Sequence, residues 1–189
     1  MENNSFWNNL AKQGALLGAV LSLSALFECY ASLSGKAGLM LLMVMEWILL
    51  VVVHFLLLRR YTMQFRDSIA PEEGFTFGKG YGYVMLLSLF AGAVVGMVQV
   101  AYLHLIIGYE NYVTQLVTSL QTYLTTVGVP ATMEPMLADN LSALQKQPAP
   151  SVLQTAWGGI FNSLAFGAFY GLMIAGMLAR APKPFAKQD

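Results

Sequence analysis

Four long apolar stretches dominate this sequence and limit what it can fold into. They cover residues 14–33, 37–58, 82–107 and 152–179. A helix rises about 1.5 Å per residue and the hydrocarbon core of a bilayer is about 30 Å thick, so roughly 20 apolar helical residues cross it. We therefore predict an all-α polytopic membrane protein, a bundle of four transmembrane helices in a single membrane domain over residues 1–189.

The composition agrees with a membrane protein and excludes one class of partner. Of the 189 residues, 57% are hydrophobic and 11% are charged, whereas about a quarter of the residues in a soluble domain are charged. Ten Lys and Arg residues balance ten Asp and Glu residues, so the chain has no excess positive charge with which to neutralise a phosphate backbone. We expect membrane lipids, not nucleic acid, around this chain.

The first apolar stretch predicts a permanent span. It is too long for the apolar region of a secretory signal and it carries Glu28, an acidic residue that is unusual in such signals.

The basic residues predict how the bundle is oriented, because Lys and Arg are retained on the cytoplasmic side. The connection between spans one and two and the connection 108–151 contain only Lys36 and Lys146. The other flanks contain Lys12, Arg59, Arg60, Arg66, Lys79, Arg180, Lys183 and Lys187. We expect both termini in the cytoplasm and the connection 108–151 outside.

This outer connection predicts two amphipathic helices. A helical spacing of apolar side chains leaves Ser119 and its polar neighbours on other faces, and its members are Val113, Leu116, Val117, Leu120, Leu124 and Val127. After Gly128 and Pro130, a second helical pattern contains Met136, Leu137, Leu141 and Leu144. The two helices are expected at the outer interface, either as a lid on the ends of the spans or as a docking surface for a partner or an external substrate.

The inner connection is rich in glycine, with Gly78, Gly80 and Gly82 close together. It lacks the Gly-Lys-Ser/Thr ending of a phosphate-binding loop and the Thr-Val-Gly-Tyr-Gly sequence of a potassium filter. We expect its charges to anchor the bundle to anionic headgroups.

Polar side chains inside the spans are the candidate functional residues, because ionisable groups at membrane depth are costly and face a bundle interior or a wet cavity. Counted from the outer end of each span, Glu28 and His104 lie about 4 to 8 Å deep. Glu46, Gln99 and Asn162 lie about 12 to 15 Å deep by the same count. The sequence thus predicts an outer layer and a middle layer that converge on one polar pocket.

Two interpretations of these layers remain open. In the first, the carboxyl groups accept and release a proton or neutralise a cation. In the second, Glu46 stays protonated and bonds Gln99 or Asn162 across helices, while Glu28 reaches headgroup water. We expect His54, near the inner end and Arg59, to be an interfacial residue.

Glycines spaced by four predict close helix packing on three spans. They are Gly14, Gly18, Gly92, Gly96, Gly167 and Gly171. Small residues let helix backbones approach where no hydrophobic effect drives association, so we expect a tight bundle without a wide pore. One such face could instead meet a second protein.

Catalytic and metal-binding motifs are missing from the sequence. It has no His-x-x-x-His, no Glu-x-x-His and no Gly-x-Ser-x-Gly, and its single cysteine, Cys29, cannot form a disulfide within the chain. We expect no enzymatic activity, no metal and no cofactor.

Several short stretches together resemble the domain-of-unknown-function family 4199, which comprises small four-span inner-membrane proteins of Gram-negative bacteria. The most specific is residues 73–80, EGFTFGKG, before span three; the others are Ser5 to Trp7, Lys12 with Gly14, Tyr61, Arg66 with Asp67, and Tyr109. The chain departs from the family in having Tyr109 to Tyr112 where a proline often follows span three.

The resemblance implies this fold and compartment and transfers no ligand or catalytic residue. It also implies an association with polyprenyl-phosphate glycosyltransferases. The first functional hypothesis is therefore a non-enzymatic membrane subunit or scaffold that binds a partner protein, a second copy or a lipid-linked substrate. The alternative is a small proton-coupled transporter with its midplane site at Glu46.

Overall fold

The computed structural model describes residues 2–128 and 133–182, and these residues are helical nearly throughout. The helices are α1 (Glu2–Ser34), α2 (Ala37–Asp67), α3 (Phe77–Val100), α4 (Tyr109–Val127), α5 (Glu134–Lys146) and α6 (Val152–Leu178). A π-helical segment, Ala101–Ile106, continues α3. Pro130, Lys183 and Lys187 lie outside the described residues.

Four of these helices are long and apolar enough to cross a membrane: α1, α2, α3 with its π-helical segment, and α6. The predicted all-α polytopic bundle is confirmed, as are the two helices in the connection between α3 and α6. Within the part of the chain that is described, no β-strand forms.

The inner connection is shorter than the sequence predicted. Helix α2 continues to Asp67, so Arg59, Arg60 and Arg66 are helical residues and not part of a loop. Nothing in 59–67 breaks a helix; the first breaker is Pro71, which begins a 3₁₀ turn. Helix α3 restarts at Phe77.

Helix α3 lies between α1 and α6 and packs on both through glycines. A Cβ on Gly18 would lie 2.7 Å from the Cβ of Val94. A Cβ on Gly92 would lie 2.8 Å from the Cα of Ile160, and one on Gly159 would lie 2.6 Å from the Cα of Gly96. Real Cβ atoms do not approach so closely, so these positions accept glycine alone without a shift of the backbone.

The other paired glycines lie in the same two interfaces. Gly14 faces Phe90 of α3, while Gly167 and Gly171 of α6 face Ser88 and Tyr81 of α3. The three glycine pairs therefore all serve packing between α1, α3 and α6 within this one chain.

One end of the bundle is closed by a short clasp between the connection of α2 to α3 and the residues that follow α6. Phe75 and Arg180 form an isolated antiparallel bridge with two backbone hydrogen bonds of 2.8 Å. Gly74 allows the chain to turn into this bridge, since its φ of 65° is unfavourable for other residues. The Phe75 side chain is fully buried and meets the ring of Phe65 edge-on.

At the other end of the bundle, α4 packs on the end of α1 with Val113 and Val117 buried. The sequence placed Ser119 on a face of α4 other than the apolar one, and this residue also contacts α1. Ser119 is buried, and its hydroxyl donates a hydrogen bond of 2.5 Å to the carbonyl of Leu33. This hydroxyl satisfies a carbonyl in the last turn of α1, which has no partner within its own helix.

Candidate intramembrane binding site

A cavity of about 150 Å³ lies in the middle of the bundle, between α1, α2, α3 and α6. Each helix contributes side chains at helical spacing, so one stripe of each faces the cavity. The lining residues are Leu21, Ser24, Ala25, Glu28, Trp47, Leu50, Val51, His54, Val95, Gln99, Asn162, Ser163, Phe166 and Tyr170.

Three of the five predicted polar residues share this cavity: Glu28, Gln99 and Asn162. Among the described residues, none of these three side chains has a hydrogen-bond partner. Groups of this kind in a protein interior are normally satisfied by protein, water or a bound ion. The cavity therefore offers a carboxyl group and two amides to an occupant.

Glu46 lies beside the cavity but is not part of its lining. One carboxyl oxygen accepts a hydrogen bond of 2.5 Å from the Ser24 hydroxyl, and Ser24 itself lines the cavity. The other oxygen is buried without a partner in the described part of the chain. The carboxyl group of Glu46 is close enough to that of Glu28 for their charges to interact, so two acidic groups lie at the same place in the bundle.

His54, which the sequence predicted to be an interfacial residue, lies in the protein interior and lines the cavity. Its side chain is 5% exposed, and its ring meets that of Tyr170 edge-on at 5.3 Å. The Nε2 atom is buried and has no hydrogen-bond partner among the residues described. Helix α2 extends nine residues past the predicted end of the span.

His104 is separate from the cavity. It lies in the π-helical segment, and its Nε2 is 2.9 Å from the Oγ1 of Thr155 at the start of α6. The predicted outer layer of Glu28 and His104 is thus divided, since Glu28 joins the groups of the middle layer. A π-helical turn shifts the side chains that follow it around the helix axis, which changes the face on which His104 lies.

The cavity opens sideways, between α2 and α6. Trp47 of α2 and Asn162 of α6 are exposed, while the other lining residues are buried or half-buried. On the inner side of this opening, the Tyr170 hydroxyl donates to the backbone carbonyl of Val51 at 3.3 Å and ties the two helices together.

Helical spacing could have identified two cavity residues that sequence analysis missed, Ser24 and His54. Leu21, Ser24, Ala25 and Glu28 follow one another by three, one and three residues, the spacing of one helix face. Trp47, Leu50, Val51 and His54 repeat the same spacing on α2. Extending the face of Glu28 inward identifies Ser24, and extending the face of Trp47 identifies His54.

The charges and donor atoms limit what the cavity can hold. Its lining contains no Lys or Arg, and the described residues include no group of three side chains placed to hold a metal ion. A carboxyl group at this depth is stable either with its own proton or with a counter-cation. Protons, water and small cations are therefore the species that this chemistry accommodates.

Fold and site together define the class of this protein: a small polytopic helical membrane protein with a polar cavity inside its four-span bundle. The chain belongs to the domain-of-unknown-function family 4199, described as a protein family of unknown function, whose sequence model matches residues 12–180. This confirms the resemblance seen in the sequence. No curated protein and no solved structure matches the chain.

Proposed function

We propose that this chain is a non-enzymatic integral subunit of the bacterial inner membrane that binds another membrane protein, a second copy of itself or a lipid-linked substrate. The observation that carries the proposal is the exposure of Asn162 on α6, at the edge of the cavity. A polar side chain exposed on a membrane span, without a hydrogen-bond partner in the described residues, is costly unless another molecule supplies one.

The surroundings of Asn162 support a helix as that molecule. Gly158 lies one turn away on the same exposed face, and no atom of the chain lies within 4 Å of where its Cβ would be. Ala165 continues this face toward the inner end. A small residue beside a polar one is the arrangement by which transmembrane helices approach and bond one another.

A lipid-linked substrate would meet the chain at the same lateral opening. The cavity is too small for the sugar portion of such a molecule, so this substrate would lie against the face and not inside the bundle. An accessory role beside a polyprenyl-phosphate glycosyltransferase, which the family resemblance suggested, fits a surface of this kind.

The proposed orientation has both termini in the cytoplasm. Six of the eight described Lys and Arg residues lie at the end of the bundle closed by the Phe75–Arg180 clasp, and Lys36 and Lys146 lie at the other. Single cysteines introduced by Asp67→Cys and Gln121→Cys in a Cys29→Ser background test this. A membrane-impermeant thiol reagent applied to spheroplasts should label position 121 only, and labelling of position 67 would contradict the orientation.

Crosslinking at the exposed face of α6 tests the subunit proposal. Gly158→Cys, again with Cys29→Ser, should give one crosslinked product of defined mass in native membranes, and mass spectrometry should identify the partner as a membrane protein or a second copy. Leu23→Cys is the matched control, because Leu23 is 70% exposed on α1. Products of equal yield at both positions, or lipid adducts alone, would contradict a specific partner helix.

A proton-coupled carrier is the second candidate, and the pairing of Glu28 with Glu46 beside the cavity favours it. The acidic site would then include Glu28 as well as the predicted Glu46. Proton flux into reconstituted vesicles should fall at least tenfold in Glu28→Gln and in Glu46→Gln, and it should be unchanged in Glu110→Gln on α4. Flux that neither cavity substitution alters would contradict the carrier.

A further inference from the structure

The central cavity has the chemistry of a site for an organic cation. Glu28 lines it and Glu46 lies beside it, while no Lys or Arg faces it from any of the four helices. Two acidic groups in a medium of low dielectric constant attract a positive charge strongly once either is ionised.

Hydrogen-bond acceptors without partners surround the same space. The amide oxygen of Gln99 is available, and the Nε2 of His54, a residue that is 95% buried, lacks a partner among the described residues. A neutral imidazole accepts a hydrogen bond at one ring nitrogen. A primary ammonium group has three N–H donors and no acceptor, so it can donate to the carboxylate of Glu28 and to the amide oxygen of Gln99 at once.

The rest of the wall is apolar and aromatic, which favours an organic cation over an inorganic one. The side chains of Leu21, Leu50, Trp47, Phe166 and Tyr170 line the cavity. A hard divalent cation such as Mg²⁺ or Ca²⁺ needs about six oxygen ligands around it, which this wall does not provide. An alkyl group packs against such a wall, and aromatic faces attract a cation within about 6 Å of the ring.

The volume sets the size of the occupant. A cavity of about 150 Å³ is the size of an engineered protein cavity that binds benzene, which has six non-hydrogen atoms. The opening between Trp47 and Asn162 faces the bilayer, so a longer alkyl chain can extend outward into lipid while the ammonium group stays inside.

We propose that the cavity between α1, α2, α3 and α6 binds a primary alkylammonium ion of about six non-hydrogen atoms, with Glu28 as its counter-charge. This inference goes beyond the subunit proposal and does not depend on it. Ligand binding involves the interior stripe of the bundle, whereas the partner helix would contact the outer face of α6 around Gly158.

Fluorescence of Trp47 can measure this binding. Trp7 and Trp157 lie outside the cavity lining, and their replacement by Phe leaves Trp47 as the single tryptophan. The protein is placed in nanodiscs of phosphatidylglycerol, a lipid without an amine in its headgroup. n-Butylammonium is titrated in, with n-butanol as the neutral ligand of similar shape.

The expected result is a saturable change with n-butylammonium and none with n-butanol. Glu28→Gln should weaken binding at least tenfold, while Glu110→Gln on α4 should leave it unchanged. If Glu28→Gln does not fold, as judged by far-ultraviolet circular dichroism, Gln99→Leu removes one acceptor and should weaken binding several-fold. If dodecylammonium binds more tightly than n-butylammonium, the natural ligand is a lipid-soluble amine from the bilayer. If it binds more weakly, the natural ligand is a small amine from water.

Three results would overturn the inference: no saturable change, equal binding of n-butanol, or equal binding by Glu28→Gln. Each of them would mean that the cavity is not a site for an ammonium ion with Glu28 as its counter-charge. Crosslinking at Gly158 would be unaffected in every case, so failure of the ligand site and failure of the subunit proposal are distinguishable.

Discussion

Helices α2 and α3 are both apolar, are nearly equal in length as spans, and are held in the bundle in different ways. In α3 with its π-helical segment, 39% of the most apolar window is buried inside the chain; in α2, the most apolar span, the share is 11%. Helix α3 meets α1 through glycines of α1 and meets α6 through glycines of both helices, whereas the only glycine of α2 is Gly38, where an added Cβ would have no atom within 4 Å.

This difference shows what determines burial in a membrane protein. Apolar side chains gain little by leaving lipid for a protein interior, so close packing and polar contacts decide which helix becomes central. Helix α2 is attached by individual contacts: Ser24 to Glu46, Gln13 to Gln64 at 3.1 Å, and Tyr170 to the carbonyl of Val51. The cavity lies on the side of the bundle that α2 closes.

The largest expected effect is at the Phe75–Arg180 clasp, where the buried Phe75 ring contacts the end of α2. Phe75→Ala should lower the free energy of unfolding by about 3 kcal/mol, because it removes a fully buried ring that contacts Phe65 of α2. The measurement is equilibrium unfolding in mixed micelles with increasing sodium dodecyl sulfate. Phe77→Ala is the control, since Phe77 is 44% exposed; equal losses for both would mean that the clasp does not hold α2.

Adjacent glycines on α6 test the packing of α3. Gly159→Ala should lower the free energy of unfolding by about 2 kcal/mol, because its Cβ would overlap the backbone of α3 at Gly96. Gly158→Ala should change it by less than about 1 kcal/mol, with a small gain from helix propensity. If the two variants unfold alike in the same micelle assay, close packing is not what makes α3 central.

Two serines on α1 test the attachment of α2. Ser24→Ala should lower the free energy of unfolding by about 1 kcal/mol, since it removes the hydrogen bond to Glu46. Ser22→Ala should have no measurable cost, because the buried Ser22 hydroxyl has no partner among the described residues. A greater loss in Ser22→Ala than in Ser24→Ala would show that α2 does not depend on this contact.

The last expected effect concerns helix α4 and is absent at neutral pH, because it appears only at high pH. Burial, together with the nearby Cys29 thiol, raises the pKa of Tyr112 from 10.0 to about 12. The folded form therefore holds this proton more tightly than the unfolded form, and the contribution to stability is complete below pH 10 and declines as pH rises toward 12. Thermal unfolding followed from pH 8 to 11.5 should show this decline, and Tyr112→Phe should reduce it.

Sequence patterns predicted the spans and the outer helices well, because both depend on properties that vary along one helix. The apolar stretch from 152 to 179 nearly coincides with α6, and the spacing of Val113 and Val117 marks the buried face of α4. The end of α2 was predicted poorly, because leaving the bilayer at Leu58 does not require the helix to end there.

Of the five polar residues that the sequence predicted to converge, three line the cavity and two do not. Glu28, Gln99 and Asn162 were identified as costly polar groups at membrane depth, and they share the cavity. Depth along a helix gives no information about rotation around its axis, and rotation places His104 beside Thr155 and Glu46 beside Ser24. His54 was missed for a related reason, since its closeness to Arg59 in sequence gives no information about the direction in which its side chain points.

By itself, the sequence determined that this chain has four segments able to cross a membrane, because transfer into lipid depends on the composition of each segment alone. Its membership of family 4199 is likewise a property of the sequence. Only the tertiary structure decided which helix is central, which carboxyl group faces the cavity and where the cavity opens. Those outcomes depend on how four helices rotate and approach one another, and glycine contacts separated by about seventy residues, such as Gly18 with Ala91 and Val94, fix that arrangement.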